Sequence, residues 1–538
     1  MTRSCSLIAL GLVAVLSSSC AEDSSGSPAR DGTTPDAATG PPAPRFVEGP
    51  TIENNPNPVP LAAVVRLRTD VPTRARIEIG DGRTVAFRQL ATSHVLPVLG
   101  LQPGTTYSIK VSISNERGVE VEAPAALPFT TVPLPGDFPP ITATVVQPDK
   151  VEPGVVVFSP ARASQPPRYV VGVDEAGKVV WYYEGLQGAV VRPLASGNLL
   201  LVAGGKGVMI EIDTLGKTLH EWRAETTGSG AISVPVTPFH HDVLELPSGN
   251  LLVLSRETRE LGDYPTSDTD PNAPKASATV IGDVVVEFRP DGTIVNQWSL
   301  FDLLDPYRIG YDSITAIVQN DWSHANGLAY SAGDDAIIVS VRHQDVVCKF
   351  SRQTGKLLWL LGPHANWKPP WSGHLLAPQG GLEWPYHIHS PVLTPDGELL
   401  LFDNGNQRAS PFDAALPVPE RYSRAVAYSI DEAKMEVTEV WSYGGPGDEW
   451  FYSKAMSGVS WLPKTGNVLV TDGNRVEDDA GKPTVDPGAS FWARIVEVTR
   501  TKPATKVFEL EIRENIPGRW TIYRGHKMPG LYPAALVQ

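Results

Sequence analysis

A chain of 538 residues carrying a net charge of −15, with no clustered lysines and arginines, is poorly suited to nucleic acid, whose phosphates need grouped cations. Its 48 glycines and 50 prolines are too many for a helical protein and suit many short strands joined by tight turns. With 41% apolar residues it can bury a sizeable core, and its length allows two to four domains, or one large all-β unit and something smaller.

The first residues read as an export signal, 1–20. Arg3 precedes an apolar run from Leu7 to Leu16, followed by Ser17, Ser18, Ser19 and Cys20. Such a run is too short to span a bilayer and has the form of a signal peptide. A cysteine after small residues resembles a lipoprotein processing site, with Cys20 becoming the acylated N-terminus. The usual pattern prefers leucine where Ser17 stands, so plain secretion is the alternative. Ala21 after the cysteine implies the outer membrane. The expected location is the periplasm or outer membrane, with membrane contact only through this anchor. Cys5 lies in the signal and Cys348 in the apolar run VVCKF, so no intramolecular disulfide is expected and Cys348 reads as a small buried hydrophobe.

Residues 21–45, made of Ser, Gly, Pro, Asp, Thr and Ala, predict a disordered tether. From 46 to 133 short alternating strands follow: AAVVRLRT, ARIEIG, SHVLPV and YSIKVSISN. The stretch LGLQPGTTYSIKVSISNERG resembles a fibronectin type III sandwich. Its Leu-x-Pro-x-x-x-Tyr spacing matches the corner where a tyrosine hydroxyl bonds back to the backbone. No titratable cluster appears there, so a structural or spacing role is expected.

From 140 to 538 the chain repeats. One half of the repeat alternates apolar residues, turns on an acidic residue or glycine, and closes on an aromatic. It reads YVVGVDEAGKVVWYY, VMIEIDTLGKTLHEW, VVVEFRPDGTIVNQW, VVCKFSRQTGKLLWL, VAYSIDEAKMEVTEVW and, in weaker form, ARIVEVTRTKPATKVFEL. The other half is AVVRPLASGNLLLV, HDVLELPSGNLLVL, HANGLAYSAGDDAIIVS, HSPVLTPDGELLLFD and GVSWLPKTGNVLVTDG. Two hairpins per repeat make a four-stranded sheet, and six such sheets closing radially predict an all-β, six-bladed β-propeller. Only five inner hairpins are clear. The missing pair is expected from GVVVFSP near 154 and WTIYR near 520, closing the ring across the termini.

Inner strands line the channel of a propeller, so the repeat register tells which residues converge. His241 lies eight residues before the turn glycine Gly249, and His389 eight before Gly397. His324 opens the matching strand of the third copy, where Asp334 and Asp335 replace the glycine turn. The remaining two copies have Ala189 and Gly458. With only 11 histidines in the chain, three at one register argue for a shared site. A metal site is the competing reading, since imidazole is the commonest ligand. His240, beside His241, and His387, two before His389 on one strand face, would enlarge it, whereas Asp242 points to the opposite face. Arg342, after the strand IIVSV, favours an anion, because a guanidinium keeps its charge and can hold two oxygens of an oxyanion. The site is read as needing no metal or other cofactor. The Trp-rich loop GPHANWKPPWSG either shapes an aromatic site or packs the rim.

PFHHDVLELPSGN, DWSHANGLAYSAGDDAIIVSVRHQ, TGKLLWLLGPHANW, HSPVLTPDGELLLFDNGNQR and YRGHKMPGLYP, in this order, resemble the bacterial aryl-sulfate sulfotransferase family. That resemblance implies a periplasmic six-bladed propeller that moves a sulfuryl group from an aryl sulfate to a phenol, without a nucleotide donor, by a ping-pong route through a sulfohistidine. It implies His389 as nucleophile, His241, His324 and Arg342 as holders of the sulfuryl oxygens, and Asn326 in the place of a channel asparagine. The family usually has Gln before the nucleophile. Here Ile388 stands there and His387 one further back, so His387 is the second candidate nucleophile, and with His240 it counts among the substrate-binding residues. The partners implied are small aryl sulfates and phenols. A non-catalytic surface propeller for a glycan, protein or anion, and a metal-dependent propeller hydrolase, are the competing readings.

Overall fold

Along Ala63–Ile79 nearly every second side chain is buried, and this period-two pattern makes it the spine of the first sheet. The computed structural model describes residues 42–538 apart from 163–167, 186–189, 204–206, 225–229, 316–318, 448, 487 and 515–518. Ala63–Ile79 pairs with Phe46–Asn54, Thr84–Ala86, Ala91–Val98 and Thr106–Asn115, and the last of these adds Glu120–Glu122 and Leu127–Thr130. At the expected corner the Gln102 backbone N–H donates to the Tyr107 hydroxyl at 2.9 Å. The signal, Cys20 and most of the tether lie outside the described residues.

Six further sheets follow among the described residues, each with four antiparallel strands at its heart, in a propeller-like arrangement. Their innermost strands are Trp520–Met528, Val190–Pro193, His240–Glu245, Ala325–Ser331, His389–Leu393 and Gly458–Trp461. Val155–Arg162 and Trp520–Met528 do pair, so the first of these sheets joins both ends of the repeat region. Ile141–Val145 is added antiparallel to Lys506–Ile512 on the outer edge of the last sheet.

The closing aromatics of the repeat explain how one sheet docks on the next. The Trp181 indole donates to the Thr214 carbonyl at 2.8 Å, in the turn of the next sheet. Trp222 does the same to Pro290 at 2.8 Å, Trp359 to the Glu432 carboxylate at 2.9 Å, and Trp441 to Thr501 at 3.3 Å. Trp298 packs on Phe350. Phe508 has no N–H to donate and instead packs with Val156 and Phe158 of the first sheet. A buried indole removes about 150–250 Å² from water while its polar end stays satisfied. The same residue type thus serves as latch from sheet to sheet.

The N-terminal sheet is pinned to this body within one compact unit, Ala43–Gln538. Asn55 Nδ2 donates to the Leu215 carbonyl at 2.7 Å, and the Leu99 N–H to the Tyr532 hydroxyl at 2.8 Å. Cys348 is fully buried, and burial pushes its thiol up to about 12, which keeps it inert. Among the described residues no helix is long and apolar enough to cross a membrane.

Candidate active site

Three inner strands share a local irregularity that aims their side chains. Their pairing slips between His240 and Val243, between Ala325 and Gly327, and between His389 and Val392. At two of these bulges His241 and Ser390 take left-handed backbone, with φ of 56° and 57°, and His324, just before the third, does so at 47°. A bulge re-aims a side chain at a strand end, and each left-handed residue other than glycine costs about 1–3 kcal/mol. Strain repeated at one level of three strands is what a functional site tolerates.

The imidazoles come together. The rings of His241 and His324 are 4.9 Å apart, and Tyr523 lies 5.9 Å from His241 and 6.4 Å from His389. Behind His241 stands His240, their Nδ1 atoms 2.8 Å apart, and the far nitrogen of His240 faces the Asp283 carboxylate at 3.2 Å. His324 Nδ1 is 2.5 Å from Asp321. His389 Nδ1 is 2.6 Å from Asn404 Oδ1.

Arg342 follows Ala336–Val341 in a short 3-10 turn and is buried. It donates to His343 Nε2 at 2.6 Å and to the Lys454 carbonyl at 3.4 Å. Neither partner is anionic, and none of the described carboxylates makes an ion pair with it within 4 Å, unlike buried Arg408, Arg424, Arg475, Arg494 and Arg524. Asp312, Asp345 and Asp321 act on it only from beyond that distance, and a buried guanidinium without a directly bound carboxylate is costly unless a ligand supplies the charge.

Electrostatics sort the rings. Burial first, then the neighbouring His240 and His324, hold His241 well below its ordinary 6.5. Burial and then Arg342 do the same to His389 and to His343. His387 goes the other way: burial alone would lower it, but Asp345 and Asp312 outweigh that and raise it. It sits 3.0 Å from Asp345 and 3.3 Å from Asp312, an ion-paired clamp rather than a free base.

One sequence expectation needs correction here. His387 does not share a strand face with His389, because the strand begins at His389 and His387 precedes it with φ 54°. It therefore turns to the two carboxylates. Asn326 is buried with its carboxamide engaged: Nδ2 donates to the Ile388 carbonyl at 2.9 Å, and Oδ1 accepts from Ser340 at 2.6 Å. It ties two inner strands together. His240 backs His241 and is buried. Asp242 does turn away, accepting from Arg524 at 2.9 Å and from the Leu328 N–H at 2.9 Å. In the Trp-rich loop, Trp367 lies under Arg308 at 4.3 Å and Trp371 donates to the Leu303 carbonyl, which is rim packing.

Sequence reasoning missed Tyr523, Asp321, His343 and Asn404. Asp321, His324 and His343 are close enough for a metal ion. Yet both His343 nitrogens are occupied, Nδ1 by the Asp321 carbonyl at 2.6 Å and Nε2 by Arg342, so His343 is no free ligand.

Rings held neutral by burial carry a stability cost in acid. Below about pH 6.5 the unfolded chain takes up protons that folded His241, His343 and His389 refuse, so stability falls as pH falls, by up to about 1.4 kcal/mol per pH unit for each ring. His387, with its raised value, opposes this in part. Urea midpoints should drop between pH 7 and pH 5.5, and a flat profile would contradict the buried neutral rings.

Strained inner strands, gathered imidazoles and a buried guanidinium define a propeller-like protein with a histidine-rich site on its inner strands. The sequence pattern of the arylsulfotransferase (ASST) family matches residues 142–524, and the chain belongs to that family. It is 29% identical over 293 residues to the arylsulfate sulfotransferase AssT of Escherichia coli O6:H1, covering 46% of this chain and 47% of the relative. It is 28% identical over 253 residues to the AssT of Lelliottia amnigena, covering 38% and 42%. The matches thus span less than half of either relative. A crystal structure of a protein of unknown function from Bacteroides caccae is similar at TM-score 0.32 and 13% identity, covering 69% of this chain and 93% of that one, and at that level it bears on nothing further.

Proposed function

We propose that the chain is an exported aryl-sulfate sulfotransferase, a six-bladed propeller behind a fibronectin-III-like sandwich, working through a sulfohistidine at His389. The observation that carries this is Arg342, buried and bonded directly to no carboxylate, beside imidazoles held below their ordinary range. A neutral imidazole is a nucleophile, and a fixed guanidinium can take the sulfuryl oxygens in the transition state. The His389 nitrogen attacks sulfur, the S–O bond to the aryl group breaks, and the departing phenolate takes a proton from His324. A second phenol, giving up its proton to the same base, attacks sulfur, and the S–N bond breaks. Small aryl sulfates and phenols are the substrates, and Cys20 is the anchor to the outer membrane.

Purified protein should release p-nitrophenol from p-nitrophenyl sulfate only slowly in water and much faster with added phenol. Rapid quench with labelled donor should trap acid-labile label on the protein. Because His389 stays unprotonated below its ordinary range, the acid limb of the rate should lie below pH 6.5. Phenol-independent release without labelled protein would turn the reading to hydrolysis.

A further inference from the structure

We infer that Asn404 is a positioning residue that fixes the tautomer of His389, holding the proton on Nδ1 and leaving Nε2 as the nitrogen that attacks. The inference rests on His389 as nucleophile but adds which atom acts and what selects it.

Asn404 is fully buried at the end of Leu399–Asp403, the strand paired with the His389 strand. An amide can be placed either way round, and here its surroundings decide. Nδ2 lies 2.7 Å from the Ser453 carbonyl and 3.2 Å from the Met456 carbonyl. Both amide hydrogens therefore have acceptors, and turning the group over would set an oxygen against two oxygens. Oδ1 must face His389 Nδ1, at 2.6 Å. The His387 carbonyl approaches the same nitrogen at 3.2 Å. Two acceptors at Nδ1 require an N–H there, and a neutral imidazole has only one, so the lone pair is on Nε2.

The frame around Asn404 is rigid. Ser423 Oγ donates to the Asn404 backbone carbonyl at 2.7 Å and accepts from the Ser453 N–H at 2.9 Å. Asn404 and the carbonyl that orients it are thus tied to one hydroxyl.

An amide differs from a carboxylate in what it does to charge. His387 has Asp345 behind Nδ1, at 3.0 Å, and a carboxylate there favours the imidazolium. His389 has the neutral acceptor. The other groups acting on it are Arg342, Arg524 and His324, with His241 and Tyr523 close by, and none of them is an anion. Amide-backed His389 offers a lone pair, whereas carboxylate-backed His387 is drawn toward the protonated state.

The test is ¹⁵N spectroscopy of full-length protein labelled at histidine, with His389 assigned by its loss in His389→Gln. At neutral pH the expected signals are a protonated Nδ1 and an unprotonated Nε2. In Asn404→Leu the tautomer should become mixed or reversed, and kcat for sulfuryl transfer from p-nitrophenyl sulfate to phenol should fall about 10²- to 10⁴-fold with KM little changed, as when a triad base is left in the wrong tautomer. In Asn404→Asp the Nδ1–H should persist, while the added negative charge moves His389 titration, and the acid limb of kcat, to higher pH. A protonated Nε2 in the native protein overturns the inference. So does an unchanged titration in Asn404→Asp, which also decides the matter should Asn404→Leu fail to fold. The spectra need no turnover, so an inactive protein with the expected tautomer would sink the sulfotransfer reading and leave this one standing.

Discussion

His389→Ala should lose sulfuryl transfer by a factor of about 10⁴ or more, while His387→Gln should lose stability first. The two rings are separated by one residue, yet their surroundings assign them different work. His389 is backed by a neutral amide and lies beside Tyr523, with its basicity held low by burial and by Arg342. It can attack sulfur, and removing a covalent nucleophile removes the whole two-step path. His387 is ion-paired to Asp312 and Asp345 and pulled toward the protonated state, so its lone pair is engaged. Taking that cation away leaves buried Asp345 with the backbone N–H of residue 387 at 2.8 Å but without its ion-pair partner, a change that costs about 3–5 kcal/mol in other buried pairs. Steady-state turnover of p-nitrophenyl sulfate with phenol, read together with urea unfolding, separates the two. Full stability with no turnover in His387→Gln, and turnover retained in His389→Ala, would exchange the roles.

The parts of this fold written in local pattern could be read from the chain. Five of the six outer hairpins announce themselves by period-two alternation, a turn residue and a closing tryptophan, and each of those tryptophans is buried at a junction. The first sheet was harder, because its inner strand pairs Thr521 with Ala161 across the whole repeat region, and no local rule links them. Tyr523 lies on that strand, inside the YRGHKMPGLYP stretch that resembles the family, so the signal was present without a position to attach it to. Which carboxylate stands behind which imidazole was not legible at all. Asp312 and Asp345 reach His387 from outside any strand, and their placement depends on loop paths rather than periodicity. Period-two reasoning failed at His387 for a definite cause: one left-handed residue ends the alternation it assumes. Asn326 stood at the expected place, but only its hydrogen bonds reveal that it serves the Ile388 carbonyl.

Arg342→Gln should lower kcat/KM for p-nitrophenyl sulfate by about 10²–10³, near 3–4 kcal/mol, and leave the protein as stable as before or more so. The two effects have one origin. A buried guanidinium hydrogen-bonded only to His343 and a carbonyl, with Asp312, Asp345 and Asp321 acting from beyond ion-pair distance, is a cost to the empty fold, so neutralising it relieves the fold. The same charge attracts an aryl sulfate, whose sulfuryl oxygens share its negative charge. Arg342→Lys should recover only part of the loss, since an ammonium reaches as a point charge and cannot hold two oxygens in one plane. The pH profile supplies an independent check. Arg342 depresses His389, so its removal should raise the titration of that ring and carry the acid limb of kcat/KM upward, even as the rate at every pH falls. A variant within twofold of the native kcat/KM would place the guanidinium away from the reacting sulfur, and a large fall in stability would mean that Arg342 holds the channel together rather than its ligand.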